Sequence, residues 1–320
     1  MGLRVFITGC AGYLARGLIE ACRGDPDVEW IGGNDVRTPS DTTGWAFFRL
    51  DVVDPALADV LWTHQVDTLV HLAWVFNPTH HPAWEYRVDV EGTRNVLKAL
   101  RTAGVTYLIY LSSTTAYGPH PDNPPAVDED YPRRGHPSYL YSKHKALVDA
   151  MVLEFMQAHP EVGVFMVRAP IVLGPNTRNI VTAMTELPVM VGVRGYDPPM
   201  QFLHEEDMQR LLYWAVRHRP VGVFNVAGHG TLRYSEIVRR LRKPAVWLPA
   251  WLLYPWVALG WTLRLLPFPP SILDFIRYPW VGRTDRFSTQ YDFKVRYSSE
   301  DALMAYARAR WPRRSVPTTA

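Results

Sequence analysis

The sequence is poor in cysteine: Cys10 and Cys22 are the only two in 320 residues. Two thiols cannot staple a chain of this length, and their spacing is not that of a structural zinc site, so a disulfide framework and a zinc-held fold are both excluded. An excess of either charge is also lacking. The 34 Lys and Arg face 31 Asp and Glu for a formal net charge of +3, and the basic residues are dispersed, with Arg313 and Arg314 in what reads as a tail. That balance leaves no footprint for nucleic acid. The N-terminus lacks the long apolar region and small-residue cleavage site of a secretory leader and enters a strand pattern at Leu3, so a reducing, cytoplasmic setting is expected. What is present is an ordinary globular composition, 48% hydrophobic and 20% charged. At about 150 residues per domain, the chain holds one large α/β domain or two closely joined ones.

Short β-rich runs alternate with helical patterns. Leu3 to Thr8, Val28 to Ile31, Ala46 to Leu50, Thr68 to Ala73, Tyr107 to Ser112 and Val164 to Arg168 read as strands. Leu14 to Ala21, Pro55 to Trp62, Trp84 to Ala103 and Tyr139 to Ala158 read as helices. The alternation predicts an α/β fold, a doubly wound parallel sheet with helices on both faces. Past residue 175 the chain becomes richer in Pro, Gly and aromatics. The expected division is therefore a dinucleotide-binding core over 1–175 and a smaller, mainly substrate-binding part over 176–320, with segments near 200–230 returning to the core.

The first strand exits into Thr8-Gly9-Cys10-Ala11-Gly12-Tyr13-Leu14-Ala15, with Gly, Gly and a small residue at three-residue spacing before a helix. Gly9 permits a tight turn, Gly12 lets the backbone approach a pyrophosphate, and Ala15 allows close packing of helix on strand. Backbone N–H groups at the helix start, from Ala11 to Leu14, then face the anion. Asp35, after the second strand, suits the ribose hydroxyls of NAD and opposes the extra phosphate of NADP. Arg37, two residues on, keeps NADP open, because a guanidinium pairs with that phosphate or stacks on adenine. Asp51 and Val52, after the third strand, are placed to meet the adenine; the alternative for Asp51 is a turn cap before Pro55.

A second cluster begins with Ser112-Ser113-Thr114 and continues at Tyr139-Leu140-Tyr141-Ser142-Lys143. Tyr139 and Lys143 stand four apart, which on a helix puts phenol and ammonium on one face. A tyrosine near pKa 10 is a poor base at neutral pH until a cation favours its phenolate. Ser113 supplies a hydroxyl to steady charge on a substrate oxygen. Tyr141, two residues from Lys143, is expected to point away and pack.

These segments resemble the extended short-chain dehydrogenase/reductases, the NAD-dependent epimerase/dehydratase family with a Rossmann-like core. The likeness runs over about residues 3 to 300 and rests on TGCAGYLA, HLA at 71–73, VEGTRNVL at 90–97, SSTTAYG at 112–118, YLYSK at 139–143 and APIVLGP at 169–175. The resemblance implies Ser113, Tyr139 and Lys143 as the catalytic set, Tyr139 and Lys143 also contacting the cofactor, and contacts to NAD near Leu72, Ala73, Pro170 and Val172. Asp89 stands where many relatives carry an Asn that braces the helix. Asp207 resembles the Asp that ties the substrate part to the core. His71, His80, His81, His136, His144 and His204 form no metal-ligand spacing, so local hydrogen bonding is expected of them and no metal. Helices 84–103 and 139–158 would supply a homodimer seam, as in many relatives, or pack on the sheet.

Two features predict a bulky, apolar secondary alcohol or ketone as substrate. Ile171 stands where sugar-nucleotide relatives have Asn, and residues 244–273 hold one charge, Arg264, among Trp247, Trp251, Trp256 and Trp261. That segment reads as a pocket lid, as a peripheral membrane patch, or as internal packing or a subunit contact. The same catalytic set serves a nucleotide-sugar epimerase or dehydratase, and an NAD-binding assembly subunit without turnover is the reading outside enzymology.

Overall fold

The computed structural model describes residues 2–312; Arg313 and Arg314 lie outside the described residues. Six strands follow the alternation of the sequence: β1 (Leu3–Thr8), β2 (Val28–Asp35), β3 (Ala46–Arg49), β4 (Thr68–His71), β5 (Tyr107–Ser113) and β6 (Gly163–Ala169). A seventh, β7 (Gly222–Asn225), pairs with β6. All pair in parallel, in the order β7-β6-β5-β4-β1-β2-β3. The order reverses between β1 and β4, so their carboxyl ends diverge and leave a crevice there. β4 carries Thr68, Leu69, Val70 and His71, all buried, as a strand covered on both faces requires.

One face of the sheet is covered by α1 (Tyr13–Arg23) and α4 (Glu205–His218), the other by α2 (Gly92–Ala103) and α3 (Leu140–Ala158). The stretch from 84 to 103, expected to be one helix, is broken into Pro82–Tyr86, a π-helical turn Arg87–Glu91 and α2. The wide turn buries the Asp89 side chain, which accepts from Val75 N–H at 2.8 Å and meets His144 Nδ1 at 2.9 Å. The carboxylate at the bracing position is thus satisfied by a neighbour on α3.

The rest of the chain builds a lobe at the carboxyl edge of the sheet from three two-stranded ribbons and short helices, packed around Leu173, Met190, Phe202, Ile237, Leu273 and Phe275. Asp207 on α4 accepts from the Arg296 and Tyr297 N–H groups at 2.9 and 3.0 Å and from Arg210 at 2.6 Å, fastening the last segment of the lobe to a core helix.

Beneath the crevice, Asp149 on α3 pairs with Arg168 on β6 at 2.7 Å, both without exposed surface. Ser112 of β5 donates to the other Asp149 oxygen, and Arg168 donates to Tyr117 Oη at 3.0 Å and to the Glu129 carbonyl at 2.8 Å. Removing one partner of such a pair leaves a buried charge without compensation. Asp149→Ala is therefore expected to lower stability by about 3–5 kcal/mol in urea unfolding, far more than exposed Asp→Ala controls such as Asp59→Ala.

Candidate active site

The crevice is a cleft walled by the Gly9–Ala15 turn, the β4 exit at Leu72 and Ala73, and Pro170 and Val172 beyond β6. It continues past Asp35, Arg37, Asp51 and Val52. Gly9 has φ +71° and lies so close to the β4 exit that a Cβ would stand 2.7 Å from Ala73 backbone atoms, so only glycine fits. At Gly12 a Cβ would meet only the Gly9 carbonyl oxygen at 3.1 Å and would otherwise stand in the cleft. Gly12 is also the residue from which α1 starts, so the unpaired N–H groups of the first turn, at Tyr13 and Leu14, serve an anion at that spot.

Asp35 lies at the end of β2, its carboxylate accepting from the Arg37 N–H at 2.9 Å and the Ala11 N–H at 3.1 Å. Ala11 therefore braces Asp35 and is not a wall of the cleft. The Arg37 guanidinium lies 3.6 Å from Asp35 and is largely exposed, and Asp51 accepts from the Val53 N–H at 3.3 Å, the turn-capping contact. The whole set fits a dinucleotide: a side-chain-free cradle at a helix start, an acid at the second strand, and apolar walls. Direct titration is expected to show tighter binding of NADH than NADPH, and Asp35→Ala to narrow that preference by about tenfold. Equal affinities in the native chain would pass control of the choice to Arg37.

The structure corrects the tyrosine and the lysine. α3 starts at Leu140, and Tyr139 is its extended N-cap with φ −103° and ψ 100°. Because Tyr139 is outside the helix, the four-residue spacing to Lys143 no longer puts the two on one face. Tyr139 turns into the lobe, edge-on to Phe275 with centroids 5.3 Å apart, while the Lys143 side chain is exposed and reaches neither cavity. The pair brought to the cleft is Tyr141 and Lys145, again four apart and both inside the helix. Tyr141, expected to point away, stands beside Ser113.

Lys145 is buried, donates to the Leu111 carbonyl at 2.8 Å, and sits 3.3 Å from the centroid of the Trp74 ring and 5.9 Å from that of Tyr141. Burial brings its pKa down to about 7, against the pull of Asp89 and Asp149. Burial likewise raises the Tyr141 phenol above its ordinary value, and the Ser113 hydroxyl opposes the rise by hydrogen bonding. Ser113 also caps the next turn, accepting from the Thr115 N–H at 3.2 Å. His71, at the end of β4, is held neutral by burial and bonds Thr8 Oγ1 at 2.7 Å and Thr93 Oγ1 at 2.9 Å. Among the described residues no group of three or more His, Cys, Asp or Glu is placed to hold a metal ion.

A second cavity adjoins the cleft. Phe76, Ser113, Tyr141 and Pro170 line both, so the two spaces meet at the Ser113 and Tyr141 hydroxyls. Its remaining wall is almost wholly apolar, Ile171 and Leu173 included, and carries no charged side chain.

The family model described as the NAD dependent epimerase/dehydratase family matches residues 5–227. The chain belongs to that family. It is accordingly an NAD(P)-dependent oxidoreductase of the extended short-chain dehydrogenase/reductase type. An uncharacterised protein of Mycobacterium tuberculosis is 24% identical over 314 residues, covering 96% of this chain and 84% of its own. The N-acetyl-alpha-D-glucosaminyl-diphospho-ditrans,octacis-undecaprenol 4-epimerase of Escherichia coli is 28% identical over 276 residues, 81% of this chain and 78% of that one. The fold is shared with dTDP-glucose 4,6-dehydratase of Bacillus anthracis, solved in complex with NAD, at a TM-score of 0.74 and 15% identity over 98% of each chain.

The Lys145 environment carries its own pH signature. Unfolded, its amine loses the proton near 10.5; folded, near 7. Between those values the unfolded chain binds the extra proton, so Lys145 makes stability rise with pH above about 7, and below 7 its penalty is constant. Urea unfolding of the native chain and of Lys145→Met at a series of pH values should show this rise in the native chain only. Parallel curves would mean that the Lys145 ammonium is not desolvated.

Proposed function

We propose that the enzyme oxidises and reduces a secondary alcohol carbon held at the junction of the two cavities, with Tyr141 as acid and base, Lys145 as its electrostatic partner and Ser113 as the oxygen-binding hydroxyl. The observation that carries this reading is that Ser113 and Tyr141 line both the dinucleotide cleft and the apolar cavity. Bound NAD supplies hydride exchange. In oxidation the Tyr141 oxygen takes the substrate's hydroxyl proton, and the nearby Lys145 ammonium favours the phenolate that does so. Ser113 donates a hydrogen bond to the substrate oxygen as negative charge gathers there. In reduction Tyr141 returns the proton to that oxygen. The buried Thr115 hydroxyl, without a partner among the described residues, also faces the apolar cavity and offers a further contact.

The names of relatives support a sugar-like substrate, whose ring alcohol is oxidised on the way to epimerisation or dehydration. This is favoured over a wholly apolar alcohol. The apolar cavity supports a refinement: a diphosphate cannot lie there unpaired, because no charged side chain lines it and burying an uncompensated anion is costly. The reading is therefore a glycosyl ring at Ser113 and Tyr141, with apolar substituents in the cavity and any phosphate outside it.

Exchanging the two tyrosines separates this assignment from its rival. Tyr141→Phe is expected to keep NADH affinity and lower single-turnover rates by about 10² or more, since the ring stays and the proton donor goes. Tyr139→Phe should leave the chemical step within a few fold and change substrate affinity instead. The reverse pattern would return the catalytic role to Tyr139.

A further inference from the structure

Helix α5 (Ala250–Thr262) is apolar around its whole circumference, although only one side packs against the protein. Leu253 and Val257 face inward, joining the lobe core around Phe268 and Leu273. On the outer side Trp251 is 77% exposed and Trp256 64%, and the exposed apolar surface continues through Leu259, Leu263 and Leu265. At 3.6 residues per turn Trp251, Pro255, Leu259 and Trp256 fall within an arc of about 140° on the side away from Leu253 and Val257, and Leu263 and Leu265 follow just past the helix end, so the exposed groups lie on one side. At these exposures the two tryptophans alone present on the order of 250 Å² of ring to water. With three leucines, the patch matches or exceeds the largest found on typical monomers.

The charge pattern narrows what covers it. No Asp or Glu occurs from residue 244 to 273, and Arg264 sits at the end of the patch. Beside Arg264 is a shallow hollow lined by His80, His81, Arg178 and Trp261, with no carboxylate in its wall. His80 stacks on Trp261 at 3.9 Å, and neither Arg178 nor Arg264 is ion-paired to a carboxylate among the described residues. The hollow shares Asn77, Arg178 and Asn179 with the dinucleotide cleft, so it opens from the patch toward the active site.

We infer that this face docks on an anionic lipid surface, with Trp251 and Trp256 entering the headgroup boundary and Arg264 and Arg178 meeting lipid phosphates. Tryptophan suits a boundary where one end of the ring is apolar and the other wet. No helix among the described residues is long and apolar enough to cross a membrane, so α5 lies in the interface. A second copy fits less well: a two-fold contact sets the patch against the same patch, which carries no Asp or Glu to receive Arg264. The inference stands on this surface alone and does not depend on the reaction proposed above.

Flotation of the purified full chain tests it, using phosphatidylcholine vesicles with and without about one-third phosphatidylglycerol. The native chain should float with the anionic vesicles, less so with phosphatidylcholine alone. The double variant W251S/W256S should lower the bound fraction about tenfold, and R264Q should weaken the response to phosphatidylglycerol. Both variants should keep native circular dichroism and NADH affinity, so loss of docking is distinct from loss of the redox site. Absence of flotation by the native chain, flotation unchanged in W251S/W256S, or equal flotation with both lipids overturns the inference. So does a fall in subunit number of the double variant in sedimentation equilibrium, which assigns the patch to a second copy. R264Q changes one exposed side chain, so it keeps the test open should the double variant fail to fold.

Discussion

The ion pair of Asp149 with Arg168 anchors the side of the cleft that carries Ser113, Tyr141 and Lys145. It lies without exposed surface between α3 and β6, and Ser112 joins it from β5. Arg168 reaches on to Tyr117, whose hydroxyl donates to Asn225 Oδ1 of β7 at 2.7 Å. Three adjacent strands and one helix are thereby held in register by groups that become costly when separated. Tyr141, Lys145 and Asp149 follow one another at four-residue intervals on α3, so anchoring Asp149 turns the other two toward β5. Ser113 is the next residue along β5 from the Ser112 that bonds the anchor. Tyrosine, lysine and serine are consequently placed by the same network that stabilises the core.

Much of the frame was legible in the chain because period and composition agree there. The strand β1, its glycine turn and the start of α1 carry their own local signals, as does β4 with the apolar pair Leu69 and Val70 at its centre. The exposed side of α3 was legible too. Lys143, Leu147, Ala150 and Glu154 fall on one face, all exposed, while Lys145, Val148, Val152 and Phe155 fall on the buried side. A spacing of four alone cannot choose between Tyr139 with Lys143 and Tyr141 with Lys145, since both satisfy it. The face decides, and the buried stripe with Asp149 in its path was the signal available. A helix start at Tyr139 would give that residue the geometry that the actual start at Leu140 reserves for Tyr141.

The break at Arg87–Glu91 had no comparable signal. A π turn inserts one residue without changing polarity pattern enough to show, and the motive for it lies in a contact across the fold: Asp89 reaching both the Val75 N–H and His144. The lobe was similarly obscure, as its ribbons are two to four residues long and take their order from side chains distant in sequence. Its apolar character survived translation into structure better than its elements did.

Burial acts on the reacting pair in opposite senses, lowering the proton affinity of Lys145 and raising that of Tyr141, so that low dielectric favours both groups neutral. A negative charge placed in the cleft reverses the first effect by favouring the ammonium, and the ammonium then reverses the second by favouring the phenolate. Trp74 contributes to the same end, since its ring face, 3.3 Å away, attracts the cation and not the free amine. The acid/base role proposed for Tyr141 is thus coupled to occupancy of the cleft through a single buried lysine, while the carboxylates that support the cation, Asp89 and Asp149, are each held by another partner and line neither cavity. The field of an exposed cation, screened by water, would give Tyr141 no such dependence on what the cleft contains.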